Sequence, residues 1–134
     1  MRSLVLLMTG DTYFSDKVTK DADEDYRSIQ SVVGGWFKVL TIRHDTYLLA
    51  WDEDDQGNRA SAHQPAVNER ATALAKAHGY SQEIRGDAIA CGRSGEDCTD
   101  VPADMQLMCQ LLVPSWRYTN RPQPHQAARP RDAE

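Results

Sequence analysis

The chain has 134 residues, with 15 Lys+Arg against 20 Asp+Glu and a formal net charge of −5. This length fits one domain, and no apolar run approaches the roughly 20 residues that a membrane-spanning helix needs. The acidic balance argues against direct nucleic-acid binding, which requires a basic face for phosphate contacts. Three cysteines are too few for a disulfide framework, and the apolar opening is too short for a signal peptide. The expected setting is therefore the cytoplasm.

The first part of the chain predicts a strand followed by a helix. A short apolar run predicts a strand over residues 4–9, and a polar connection follows over residues 12–20. Apolar residues at helical spacing predict a helix over residues 21–33. Acidic residues crowd the first turn of this helix, where they complement the positive end of the helix dipole.

The middle of the chain predicts a β-hairpin. Gly34-Gly35 ends the preceding helix, and residues 36–42 and 46–51 are rich in aromatic and β-branched residues. A short turn separates these two segments, which is typical of paired antiparallel strands. Gly57-Asn58 marks a second turn after the hairpin.

The last predicted elements are two helices on either side of a strand. Asn68 is the expected N-cap of a helix over residues 69–78. A strand is predicted over residues 83–91 and a loop over residues 92–99, after which Asp100 is expected to cap a last helix. That helix has an apolar stripe formed by Met105, Met108, Cys109 and Leu112.

The order β-α-β-β-α-β-α predicts an α+β fold, with one mixed or antiparallel sheet packed by helices. Residues 1–113 form the predicted domain. Residues 114–134 are rich in proline and arginine and are expected to be a disordered C-terminal tail. This segment carries four Arg and two acids, a net charge of +2, which leaves −7 on residues 1–113.

Several residues have the chemistry to bind a small anion. Paired glycines can bring backbone amides close to an anion, and Trp36 and Trp51 can stack on a flat ligand. The N-terminus of the helix that carries Arg70 is a natural anion site, and Arg85 adjoins a glycine in a predicted strand. The candidate ligand-binding residues are Gly34, Gly35, Trp36, Asn68, Arg70, Thr72, Arg85 and Asp87.

Each of these residues also has an ordinary structural explanation. The glycines suit a tight turn, and the two tryptophans suit cross-strand packing in the hairpin. Asn68 suits a plain helix cap, and the arginines suit solvated or ion-paired surface positions.

The sequence predicts no metal, no cofactor and no enzyme. The acidic turn over residues 52–57 resembles the start of a calcium loop, but His63 stands at position twelve, where such a loop has glutamate. We therefore expect a polar turn. Asp87 with His44 or His78 is the acid–base pair that the chain offers, and any acidic chain of this size offers as much. A small hydrolase is the weakest alternative.

Four motifs occur in order along the chain: Val33-Gly34-Gly35-Trp36-Phe37-Lys38-Val39, Asp52-Glu53-Asp54-Asp55-Gln56-Gly57, Asn68-Glu69-Arg70-Ala71-Thr72-Ala73-Leu74 and Ile84-Arg85-Gly86-Asp87-Ala88-Ile89. In this order they resemble the domain-of-unknown-function 3846 family over about residues 3–112. The extra acids and Gln56 depart from the usual turn of that family, and the arginine-rich tail lies outside the match. The resemblance implies a small α+β protein of bacteriophages, plasmids and their bacterial hosts. It implies no established reaction, so no catalytic residues are carried over from it to this sequence.

Two functions follow as hypotheses. The first is a non-catalytic accessory protein of a phage or mobile element, which binds and sequesters a small anionic nucleotide-type host ligand to counter defence. Such a protein would work as a homo-oligomer, because pockets between subunits suit small domains. The alternative is an acidic protein–protein inhibitor, or nucleic-acid mimic, that blocks a host enzyme through the acidic clusters at residues 21–25 and 52–55. Neither hypothesis involves a membrane partner.

Overall fold

The computed structural model describes residues 1–16, 22–61, 63–95 and 97–119, with residues 22–26, 115 and 119 described by their backbone. The strands are β1 (Ser3–Leu6), β2 (Thr12–Ser15), β3 (Phe37–Arg43), β4 (Thr46–Trp51), β5 (Ala88–Ser94) and β6 (Asp97–Thr99). The helices are α1 (Ala22–Val33), α2 (Gln56–Arg59), α3 (Glu69–Ala77), α4 (Met105–Leu112) and α5 (Ser115–Thr119). Among the described residues, no helix has the length and apolar character needed to cross a membrane.

All strand pairs in the sheet are antiparallel, which confirms the predicted α+β class and makes the sheet antiparallel rather than mixed. The strand order is β2-β1-β5-β4-β3, and β6 pairs with β5 outside this path. The central strand β5 holds Ala90 opposite Leu4 of β1 and opposite Leu48 of β4. The sheet therefore joins the first strand of the chain to the predicted hairpin through a strand that comes much later.

Helices cover both faces of the sheet. Successive side chains of a strand point to opposite faces, so each face presents its own set of apolar side chains to a helix. On one face, Leu48 and Ala90 belong to a buried cluster that includes Leu74 of α3 and Met105 of α4. On the other face, a smaller cluster packs the sheet against α1, and its buried members are Ile29, Val33, Leu49, Ile89 and Cys91. The core thus has two layers separated by the sheet.

The predictions of α1, of the hairpin and of the α3 cap, which rest on local patterns, are confirmed. The helix predicted over residues 21–33 is α1, and the hairpin is β3 and β4, which pair from Phe37↔Trp51 to Arg43↔Thr46. Asn68 caps α3, and its side chain accepts a hydrogen bond from the backbone N–H of Ala71.

Several boundaries differ from the predictions. Residues 12–15 form strand β2 instead of a polar connection, and the strand predicted over residues 83–91 is displaced to residues 88–94. The predicted loop over residues 92–99 contains β6, which pairs back onto β5. Strands β2 and β6 have only four and three residues, and β5 lies between β1 and β4, which are distant from it in the sequence. The sequence alone does not identify the partner that stabilises each of these strands.

The start of the last helix was also predicted wrongly. Asp104 stands at the N-cap of α4, whereas the Asp100 carboxylate accepts a hydrogen bond from the backbone N–H of Arg2 at 2.8 Å. Asp100 therefore ties the chain terminus to this segment. Residues 115–119 form α5 within the segment predicted to be disordered, and residues 120–134 lie outside the described residues.

Candidate functional site

A groove lies where the end of β4 meets the loop before α3 and the segment before β5. Its volume is about 230 Å³, and its lining residues are Trp51, Glu53, Gln64, Gln82, Glu83 and Arg85. The lining combines an indole, two amides, two carboxylates and a guanidinium. This lining is more polar than that of most small-molecule sites, which are lined mainly by hydrophobic and aromatic side chains.

The two loops that border the groove are hydrogen-bonded to each other. Val67 and Arg85 form an isolated antiparallel bridge, and the Gly86 N–H donates to the Ala66 carbonyl oxygen at 2.8 Å. Gly86 has φ +79°, and an added Cβ would lie 3.2 Å from the Val33 carbonyl oxygen. Glycine is suited to this position because it adopts positive φ without strain and allows a close backbone approach. The backbone of Arg85 is thereby fixed at the edge of the groove.

The charges of the groove are balanced. Glu53 pairs with Lys38 on β3, and Arg85 Nη2 lies 3.7 Å from Glu83 Oε1. Arg85 Nη1 also donates to the Pro65 carbonyl oxygen at 3.1 Å. The Arg85 guanidinium therefore has one donor position held by the backbone and lies near a carboxylate at the exposed rim.

The Glu53 carboxyl is held in its ionised form. Burial opposes this ionisation, but the hydrogen bond from Lys38 and the charges of Lys38 and Arg85 outweigh it and lower the pKa of Glu53 below its ordinary value. A carboxyl that acts as a general acid needs a raised pKa instead. Glu53 is suited to accept hydrogen bonds from a ligand rather than to donate a proton.

Of the predicted site residues, Arg85 lines the groove. Gly34, Gly35 and Trp36 lie together in the connection between α1 and β3, where the Asn58 side chain holds the backbone. The Trp36 N–H donates to Asn58 Oδ1 at 3.0 Å, and Asn58 Nδ2 donates to the Trp36 carbonyl oxygen at 2.7 Å. An added Cβ at Gly35 would lie 2.5 Å from Asn58 Oδ1. Gly35 thus permits a close packing contact with Asn58, while Trp36 remains 52% exposed.

The residues predicted at the start of α3 bond to the protein's own backbone. Arg70 is 1% exposed, and its Nε and Nη1 donate to the carbonyl oxygens of Gly10 and Cys109 at 3.0 and 2.8 Å. The Thr72 hydroxyl accepts a backbone N–H of the segment before β5 at 2.9 Å. Asn68 is fully buried. These three side chains stabilise the fold, and the structure does not bring them to the groove with Arg85.

Asp87 has a similar structural contact. Its Oδ1 accepts a hydrogen bond from the Met8 backbone N–H at 2.8 Å, which ties β5 to the turn after β1. His78 Nδ1 lies 2.9 Å from the Leu74 carbonyl oxygen at the end of α3, and His44 is exposed in the β3–β4 turn. The Asp87 and His78 side chains thus both contact the protein's own backbone.

Five of the six lining residues were not among the predicted site residues. Three of them lie in irregular segments, namely Gln64, Gln82 and Glu83. Polar residues in such segments have no helical or strand periodicity from which their orientation could be predicted. The sequence suggests Trp51 as a stacking residue. Glu53 lies in the acidic segment over residues 52–57, for which the sequence predicts only a polar turn. The bridge between Val67 and Arg85 brings these segments together, and it has no local sequence signal.

Comparison of the chain with protein-family models, curated proteins and solved structures finds no match. Within the described residues, no group of three or more His, Cys, Asp or Glu side chains could hold a metal ion.

Proposed function

We propose that this protein is a non-catalytic binding protein whose groove takes a small nucleotide-type anion with a single phosphate. The observation that carries the proposal is that Arg85, Gln64, Gln82 and Trp51 line the same groove. A guanidinium binds phosphate through charge-assisted hydrogen bonds. Side-chain amides can pair with the edges of a base, and Trp51, which is 3% exposed, offers a narrow apolar edge at the floor of the groove.

The size and charge of the groove narrow the class of ligand. Its volume of about 230 Å³ lies below the roughly 300–1,000 Å³ of sites for drug-sized ligands. Glu53 and Glu83 would repel a second or third phosphate, but a carboxylate can accept hydrogen bonds from ribose hydroxyls or a base amine. A mononucleotide such as a cyclic mononucleotide fits these limits better than a dinucleotide or a triphosphate.

The biological setting of the proposal comes from the resemblance to the domain-of-unknown-function 3846 family. An accessory protein of a phage or mobile element in the bacterial cytoplasm would gain from sequestering a nucleotide signal of host defence. Sequestration needs binding without turnover.

The acidic-inhibitor alternative has weaker support. In the acidic turn, Asp52 Oδ1 accepts the Asp54 N–H at 3.0 Å, and Asp55 Oδ2 accepts the Gly57 N–H at 2.9 Å. These carboxylates therefore have local structural functions. The side chains of the other acidic cluster, residues 21–25, lie outside the described residues.

The test is isothermal titration of the full chain with the four common cyclic mononucleotides, with ADP-ribose as a larger nucleotide. We expect a cyclic mononucleotide to bind once per chain and more tightly than ADP-ribose. Arg85→Gln should weaken this binding by at least about tenfold, because the phosphate loses its charged partner. Gln can still donate to the Pro65 carbonyl oxygen, so the loop pairing should persist.

The matched control is Arg93→Gln, which removes an exposed arginine at the far end of β5. It should bind as the unmodified chain does. If none of the nucleotides binds, or if the two substitutions weaken binding equally, the proposed site is wrong.

A further inference from the structure

Helix α4 is apolar on its outer face as well as on its inner face. Its eight residues include no charged side chain, and its polar members are Gln106 and Gln110. Met105 and Cys109 are fully buried in the core, whereas Leu107 is 58% and Leu111 is 73% exposed. A surface helix normally has polar residues on its outer face, and a helix that is apolar all round is usually covered.

Two further large apolar side chains are exposed in the same part of the chain. Leu107 and Leu111 are four residues apart and so lie on one face of α4. Leu112 at the end of α4 is 36% exposed, and Trp116 in α5 is 63% exposed. We call these four side chains the α4 patch. Single exposed apolar residues are common, but a group of large ones in one segment indicates an interaction surface.

The charges at the ends of the patch are of opposite sign. The Asp104 side chain precedes α4, is 61% exposed and pairs with Arg43 of its own chain. The Arg117 side chain follows α4 in α5, is 50% exposed and lies 3.7 Å from Glu69 of its own chain. Two α4 helices packed antiparallel about a two-fold axis would bring the acidic start of each helix towards the segment that follows the other helix, which carries Arg117. The uncharged middle and the opposite ends make this surface complementary to itself, as a two-fold interface requires.

Two other occupants fit this surface less well. Residues 120–134 follow directly after α5, but their apolar members are only alanine and proline, which cannot match the large side chains of the patch. A helix that lies on an anionic membrane typically carries Lys or Arg on its polar face. Helix α4 has none, and Asp104 at its start would be repelled by anionic headgroups.

We propose that the α4 patch is the contact surface of a homodimer, in which α4 of two copies pack antiparallel about a two-fold axis. Four apolar side chains are fewer than the roughly 20–30 residues per side of a standard interface. The dimer should therefore be in equilibrium with monomer at moderate concentration. This proposal does not depend on the ligand of the groove.

The test is sedimentation equilibrium of the full chain over a roughly hundredfold range of concentration. The mass should rise from that of one chain, 15.0 kDa, towards twice that value. The double substitution Leu107→Gln/Leu111→Gln should weaken association by at least about tenfold. The control Val39→Gln changes a side chain that is 51% exposed on β3, and it should leave association unchanged.

A charge exchange tests the antiparallel geometry. Asp104→Arg and Arg117→Asp should each weaken association, because each places like charges together across the interface, and the two changes in one chain should restore it. Asp104 also pairs with Arg43 and Arg117 with Glu69 in the same chain, so thermal unfolding of each variant checks that the fold is intact.

A chain that stays monomeric over the whole range overturns the proposal, as does a leucine variant that dimerises normally. If the unmodified chain is monomeric but sediments with phosphatidylglycerol vesicles, and the leucine variant does not, the patch binds lipid and the dimer is excluded. Failure of the charge exchange to restore association would exclude the antiparallel arrangement.

Discussion

The buried side-chain amide of Asn68 joins three separate segments. Its Oδ1 accepts the Ala71 N–H at 3.0 Å, and its Nδ2 donates to the carbonyl oxygens of Leu6 and Gly86, both at 2.9 Å. One amide thus caps α3, holds the end of β1 and holds the segment before β5. Buried polar groups need such partners, because an unsatisfied group retains its full desolvation cost.

We predict that Asn68→Ala lowers the free energy of unfolding by about 2 to 4 kcal/mol, from the lost cap and two unpaired carbonyl oxygens. Asn68→Asp distinguishes these two effects, because aspartate keeps the cap acceptor but offers no donor to Leu6 and Gly86. It should destabilise the fold at least as much as the alanine change. Urea denaturation measures both variants, and an Asp variant as stable as the unmodified chain would show that the cap alone matters.

Arg70 illustrates why the candidate site was only partly predictable. An arginine in the first turn of a helix suggests anion binding, and Arg70 does lie in the first turn of α3. Its guanidinium instead bonds to the carbonyl oxygens of Gly10 and Cys109, which are 60 and 39 residues away in the chain. Local spacing identifies the helix and its cap. Tertiary contacts decide whether a polar side chain points to solvent or into the core.

At the scale of elements, α5 is held against the turn between β1 and β2. An added Cβ at Gly10 would lie 2.3 Å from the ring of Tyr118, and Gly10 has φ +102°. The Arg70 guanidinium lies 5.1 Å from the centre of the same ring, within the range of a cation–π contact. Tyr118 therefore anchors α5 through an aromatic ring packed between a glycine and a buried arginine.

We predict that Gly10→Ala costs about 3 kcal/mol of stability, because it combines backbone strain with a clash against Tyr118. In a Tyr118→Ala background the clash is absent, and the further cost of Gly10→Ala should fall to about 1 to 2 kcal/mol. Gly34→Ala is a matched control, since Gly34 has φ +85° and open space around an added Cβ. Equal costs of Gly10→Ala in the two backgrounds, measured by urea denaturation, would contradict this account of α5.

Elements with strong local patterns were predicted, and elements that depend on distant partners were not. The apolar period of α1 and the turn between β3 and β4 are visible in the sequence. Strand β2 has only four residues, with Tyr13 45% exposed, and it exists because β1 pairs with it. Strand β6 has three residues and pairs only with the outer end of β5. Such short strands carry too few residues for a period of two to be recognised.

At the scale of the whole molecule, the larger core cluster contains a thiol whose ionisation is linked to folding. Cys109 of α4 is fully buried in this cluster. Burial raises the pKa of the thiol from 9.0 to about 11, and the positive charge of Arg70 opposes the rise only in part. An unfolded chain exposes the same thiol to water, where it keeps its ordinary pKa.

We predict that global stability falls as the pH rises from 9.0 to about 11. Between these values the unfolded chain releases the Cys109 proton and the folded chain keeps it, so deprotonation favours unfolding. The loss of stability should be absent at pH values below this pH range and complete once the folded thiol ionises. It should then amount to about 2 to 3 kcal/mol. Denaturant unfolding at several pH values measures this loss of stability.

Cys109→Ala should be less stable throughout but should lose less stability over this interval, whereas Cys98→Ala should retain the full loss. An equal decline in Cys109→Ala and the unmodified chain would assign the alkaline loss to other groups.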